Sequence, residues 1–105
     1  MTQYCITYFG GDHPSDPEEG KKHFNKYMEW IGSLGEAAVS PMNPLNGTQT
    51  VNPDGSVSEG GNSTMSGYTL IEAESMDEAL TMAKACPFLD VNGTLEVSEL
   101  VQMPG

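Results

Sequence analysis

The 105-residue chain has no arginine, and its four lysines stand against fifteen aspartates and glutamates, for a formal net charge of −11. Proteins that bind nucleic acid or anionic lipid do so by neutralising phosphates with basic side chains, so this balance argues against both partners. Without arginine there is also no planar, bidentate fork for phosphate or carboxylate. The acidity reads first as a device for solubility. Cysteine is scarce as well. Cys5 and Cys86 do not make a disulfide framework, and they read as two buried or half-buried thiols. No apolar run approaches the length of a membrane span, and M-T-Q-Y-C-I-T-Y has neither the basic start nor the long apolar segment of a signal peptide. The expected setting is therefore the cytoplasm. Phosphate loops, dinucleotide fingerprints, nucleophile elbows and zinc motifs are all missing, so neither a cofactor nor a metal is expected.

What is present organises itself as one domain, residues 1–105, large enough to bury roughly two-thirds of its unfolded surface. The clearest stretch runs from Gly67 to Val101. G-Y-T-L-I-E-A-E opens at a glycine and is rich in β-branched and aromatic residues, as a strand is. Ser75 stands three residues before Glu78, a capping box that starts a helix, and Pro87 ends it. Met76, Ala79, Leu80, Ala83 and Cys86 fall on one face of that helix. Beyond Asn92-Gly93, Leu95, Val97, Glu99 and Val101 alternate with Thr94, Glu96, Ser98 and Leu100 as a second strand. A strand–helix–strand unit of this length is a βαβ crossover or half of a ferredoxin-like repeat.

The N-terminal half repeats the pattern. Tyr4, Ile6 and Tyr8 alternate with Cys5, Thr7 and Phe9, giving a first strand with apolar side chains on both faces. Gly10 to Asp16 reads as a loop. There Asp12 and His13 are either a solvated turn or a polar lip on a cleft, and two side chains do not make a metal cage. A helix is expected from about Pro17 to Leu34, with Asp16 as N-cap, Pro17 at the first position and Gly35 as the stop. Phe24, Tyr27, Met28, Ile31 and Leu34 form its expected buried stripe. His23 and Trp30, seven residues apart, lie at one edge of that stripe, about 20° from one another. Glu36 to Met42 can form a strand ending near Pro41. The 43–66 segment then turns polar. Thr48 to Val51 and Ser56 to Glu59 are the arms of a hairpin around N-P-D-G, an insertion that covers a sheet edge or closes over a cleft. Gly60 to Ser66 reads as the most mobile stretch.

G-Y-T-L-I-E-A-E-S-M-D-E-A-L, followed by A-C-P and G-T-L-E-V, resembles the C-terminal signature of the YCII-related (DGPF-type) domain family. The N-terminal half agrees more loosely through its Gly-Gly turn, W-I-G-S-L-G, A-A-V and N-P-L. The resemblance implies a ferredoxin-like (βαββαβ) α+β domain, two helices on one face of an antiparallel sheet, that pairs into a dimeric α/β barrel with a cleft between helices and sheet. For some members it also implies a catalytic dyad, a His on the first helix and an Asp before the Pro after the second. Counted without gaps from Gly35, that His falls on Phe24, one residue from His23, and the Asp falls on Cys86. The D-G-P-F tetrapeptide is absent, with E-G-G-N near its place.

Two functional readings follow. One is a homodimeric module that binds a small molecule in a cleft lined by Tyr8, His23, Tyr27, Trp30 and Tyr68, with Asp12 and His13 at the lip. The other is a lyase, isomerase or hydrolase using His23 as general base, with Cys86 or a loop acid as its partner.

Overall fold

In the computed structural model, residues 2–12, 15–61 and 65–101 are described. Strand β1 spans Thr2–Gly10, helix α1 Pro17–Leu34, β2 Ala38–Pro44, β3 Gln49–Val51, β4 Val57–Glu59, β5 Met65–Ala73, helix α2 Met76–Lys84 and β6 Gly93–Glu99. Short 3₁₀ turns follow each helix, at Gly35–Ala37 and Pro87–Val91. Four strands form one antiparallel sheet in the order β2-β5-β1-β6, while β3 and β4 pair separately. With the hairpin set aside, this is the βαββαβ order of a ferredoxin-like α+β fold.

The period of two in the strands decides which side is core. Tyr4, Ile6 and Tyr8 of β1 and Gly67, Thr69, Ile71 and Ala73 of β5 are buried, and registers such as Tyr4↔Ile71, Ile6↔Thr69 and Ile6↔Val97 place them on one face. Both helices cover that face through Tyr27 and Trp30 of α1 and Ala79 and Ala83 of α2. The two buried alanines let α2 lie close to the sheet, and Met76 and Leu80, expected on the buried face, are turned to its exposed rim. On the other face Cys5, Thr7, Phe9, Tyr68, Leu70 and Glu72 stay half-buried and Thr94, Glu96 and Ser98 are exposed, and no helix among the described residues lies over them. Thus β1 is apolar on both faces as read, but among the described residues only one face is covered.

Helix α1 keeps its expected bounds and caps. Asp16 accepts from the Glu19 amide at 2.8 Å, and the Gly35 amide closes back on Gly32. Its buried stripe is rotated, however. Phe24 and Met28 are 50% and 47% exposed, and the inward line runs through His23, Tyr27, Trp30, Ile31 and Leu34. Both lines share Tyr27, Ile31 and Leu34. The rotation buries the larger indole, whose Nε1–H donates to the Met82 carbonyl at 3.0 Å, and a buried Trp finds a partner for that group.

Strand β2 continues past Pro41, contrary to the expected end there. It is an edge strand, where a proline costs no ladder bond, and its register shifts twice between Ala38 and Asn43. The hairpin turn forms as read, with Gly55 at φ +88° and its amide on the Asn52 carbonyl at 2.8 Å. Among the described residues its hydrogen bonds stay inside it, and the paired Val51 and Val57 are 71% and 60% exposed. Part of the expected mobile stretch, Asn62 to Thr64, lies outside the described residues, and β5 begins within it at Met65.

Two glycines at one end of the sheet have a steric cause. The ring of Phe88 fills the space where side chains at Gly11 and Gly93 would stand. A Cβ at Gly11 would meet it at 2.6 Å, and one at Gly93 would meet the ring at 2.2 Å and the Phe88 carbonyl at 2.7 Å. Gly93→Ala is expected to destabilise the fold by on the order of 2 kcal/mol, as overpacking does, in urea unfolding. An unchanged midpoint would show that Phe88 does not fill that corner.

Candidate functional site

The corner filled by Phe88 opens into a cavity of about 300 Å³ between the N-terminal half of α1 and the sheet end. Tyr8, His23, Phe24, Tyr27, Met42 and Phe88 make most of its wall. The aromatic rings form a connected set. Phe88 stacks on Tyr8 with centroids 5.1 Å apart, Tyr8 meets Tyr27 edge-on at 6.0 Å, and Tyr27 meets His23 at 5.5 Å and Trp30 at 5.7 Å. These separations and tilts suit the quadrupoles of the rings.

The hydroxyls of that wall are already occupied. Thr69 donates to the Pro41 carbonyl at 2.7 Å and is hydrogen-bonded to the Tyr8 hydroxyl. The Cys86 thiol donates to the Tyr27 hydroxyl at 3.7 Å. The Asn43 amide bridges Ser40 and the Tyr68 carbonyl, at 3.2 Å to each carbonyl. Among the described residues, no buried side-chain nitrogen or oxygen lacks a partner. His23 differs. It is half-buried at the cavity wall, and no hydrogen bond or ion pair reaches its imidazole among the described residues. An imidazole with both nitrogens open in an apolar wall can accept or deliver a proton to whatever enters.

Burial raises the pKa of the neighbouring weak acids. Desolvation pushes the Tyr8 phenol up to about 12 and drives the Tyr27 phenol higher still, with the Tyr8 hydroxyl adding to the shift. It also raises the Cys86 thiol, which a helix C-terminus does nothing to activate.

Of the residues singled out from sequence, Tyr8, His23 and Tyr27 meet in this cavity. Trp30 lies behind Tyr27, in the core. Cys86 is buried under the Tyr27 hydroxyl and forms no bond to His23, so the pairing of these two as base and partner is not made. Tyr68 stands on the opposite, open face of the sheet, because strand alternation sends it away from Gly67 and Thr69. Asp12 borders a polar basin on the other side of His23. His13 lies outside the described residues. Sequence reasoning missed Met42 and Phe88. The only signal for Phe88 was its place between Pro87 and the Asn92-Gly93 turn. Among the described residues no group of three or more His, Cys, Asp or Glu is placed to hold a metal ion. No helix among them is long and apolar enough to cross a membrane.

The chain matches no family model and no curated protein sequence. Its structure is similar to that of 5-chloro-2-hydroxyhydroquinone dehydrochlorinase (TftG) from Burkholderia phenoliruptrix AC1100, solved in complex with 2,5-dihydroxybenzoquinone. The TM-score is 0.60 over 96% of this chain and 95% of that one, at 16% identity. The likeness is one of fold.

The raised acids set a direction for pH dependence. A group whose folded pKa lies above its unfolded value stabilises fully below the unfolded value and loses that contribution as pH rises through the folded one. Stability is therefore expected to fall from about pH 9, where an unfolded thiol begins to ionise, through about 12 for Tyr8. Tyr8→Phe is expected to flatten the upper part of that profile in urea titrations at stepped pH. An identical slope in the variant would mean that the Tyr8 phenol is not held neutral by the fold.

Proposed function

We propose that this is a YCII-related protein that binds a small molecule through a flat, apolar ring in the aromatic cavity, with His23 as a polar contact beside that ring, and that it works as a homodimer. The observation that carries the reading is the combination in one wall: aromatic rings whose hydroxyls are satisfied internally, and one imidazole with no partner. Ligand sites are typically apolar with a few convergent polar groups. Here the ligand supplies the partner that the fold withholds from His23.

The open face of the sheet supports the dimer. Phe9, Tyr68 and Leu70 are half-buried there without a covering layer, and a sheet must bury its apolar face against another element. A second copy laid sheet to sheet gives the dimeric α/β barrel of the resemblance. In sedimentation velocity at micromolar concentration, the native chain is expected to run as a dimer and Leu70→Asp as a folded monomer. A native monomer would remove this part of the reading.

Binding is tested through Trp30, the single tryptophan, which touches Tyr27. A library of flat ring compounds is expected to yield hits that shift its emission. His23→Ala is expected to weaken those hits roughly tenfold, the worth of one hydrogen bond in a dry site. Hits insensitive to His23 would remove its assigned role.

A catalytic version of the same site has one observation in its favour. An open imidazole at the end of an apolar cleft is placed to take a proton from a bound ring, and the fold is shared with a dehydrochlorinase. Turnover of a bound compound that disappears in His23→Ala favours it over a binding module.

A further inference from the structure

His23 belongs to two cavities at once. Beyond it lies a second basin of about 430 Å³, lined by Asp12, Glu19, Lys22, His23, Lys26, Asp90 and Val91. Its charges are mixed and largely unpaired. The Glu19 carboxylate accepts from the Ser15 amide and hydroxyl at 3.1 and 2.7 Å, and Asp12 accepts from the Asn92 amide at 2.6 Å. Those two acids are therefore held by neutral donors from within the protein. The side chains of Lys22, Lys26 and Asp90 have no hydrogen bond or ion pair among the described residues, and Lys22 acts on Glu19 only through its field.

This is unexpected in a chain with fifteen acids and four lysines, where carboxylates outnumber ammonium groups almost everywhere. Lys22 and Lys26 are also four apart on α1, so their ammonium groups repel one another from the same helical face. A bound anionic group between them relieves that repulsion. A purely anionic ligand would nonetheless meet the three carboxylates of the basin and the net charge of −11, and a purely cationic one would meet the two lysines. A head group of both signs satisfies each side.

We infer that the ligand of the aromatic cleft is a zwitterion, a ring-bearing α-amino acid or its close chemical equivalent, with the ring against Tyr8, Tyr27 and Phe88, the carboxylate at Lys22 and Lys26 and the ammonium at Asp90 and Asp12. The inference rests on the cleft being a ligand site. His23 lines both cavities and would contact the ligand where ring and head group join.

The test titrates the full-length protein with four probes, followed by calorimetry: phenylalanine, 3-phenylpropanoate without the ammonium, 2-phenylethylamine without the carboxylate, and uncharged phenol. Phenylalanine is expected to bind at least tenfold more tightly than either singly charged analogue, since each analogue gives up one charge-assisted hydrogen bond. Lys22→Ala combined with Lys26→Ala is expected to abolish the advantage of phenylalanine over 2-phenylethylamine. If phenol binds but the charged probes show no order, the cleft reading stands and the zwitterion is overturned. If no probe carrying a ring binds, the cleft reading fails and takes this inference with it.

Discussion

Packed edge-on against Tyr8, His23 and Trp30, the ring of Tyr27 joins α1 to the sheet, and its hydroxyl accepts a hydrogen bond from the Cys86 thiol in the turn after α2. Three elements far apart in sequence therefore meet at one side chain. The rotation of α1 that carries the Trp30 indole to the Met82 carbonyl also turns His23 inward and leaves Phe24 and Met28 at the surface. Without that rotation the imidazole would face solvent, and the cavity would lose the one side chain in its wall able to exchange a proton near neutral pH. The fold and the candidate site depend on one packing decision.

Much of this architecture was legible in the sequence because its signals are local. Asp16, Pro17 and Gly35 mark the ends of α1 through capping chemistry that needs no knowledge of the rest of the chain. Ser75 does the same for α2, and N-P-D-G for the hairpin. The alternation in β1 and β5 states which residues share a face. The site was only half legible. Tyr8, His23 and Tyr27 could be found from strand and helix periodicity, but Tyr68 was grouped with them although its strand neighbours face the other way. The stripe of α1 was misplaced because two lines of apolar residues share three members, and the choice between them is made by the indole reaching the Met82 carbonyl across the interior. Long-range choices of that kind leave no trace in spacing. Met42 and Phe88 arrive in the cavity for the same reason, one through an edge strand that runs on past a proline and the other through a turn wedged between Gly11 and Gly93.

Charge and apolar surface are distributed unevenly over the molecule. Between Asn43 and Ser58 the only ionisable side chain is Asp54, whereas three of the four lysines sit within two turns of α1. The apolar cleft, His23 and the mixed basin thus form one continuous wall along the N-terminal half of α1. The open sheet face lies on the other side and carries Glu72 and Glu96 but no lysine. The candidate small-molecule site and the proposed self-association surface thus lie on opposite faces of the sheet.

The most direct test of the central claim, that the aromatic cavity beside His23 is where a small molecule binds, is methyl nuclear magnetic resonance of the native protein during titration with flat ring compounds. The Met42 methyl lines the cavity and the Leu70 methyls lie on the opposite face. The account requires ring-current shifts at Met42 with the Leu70 signals unmoved. Shifts at Leu70 with Met42 silent would place any binding on the open sheet face and contradict it.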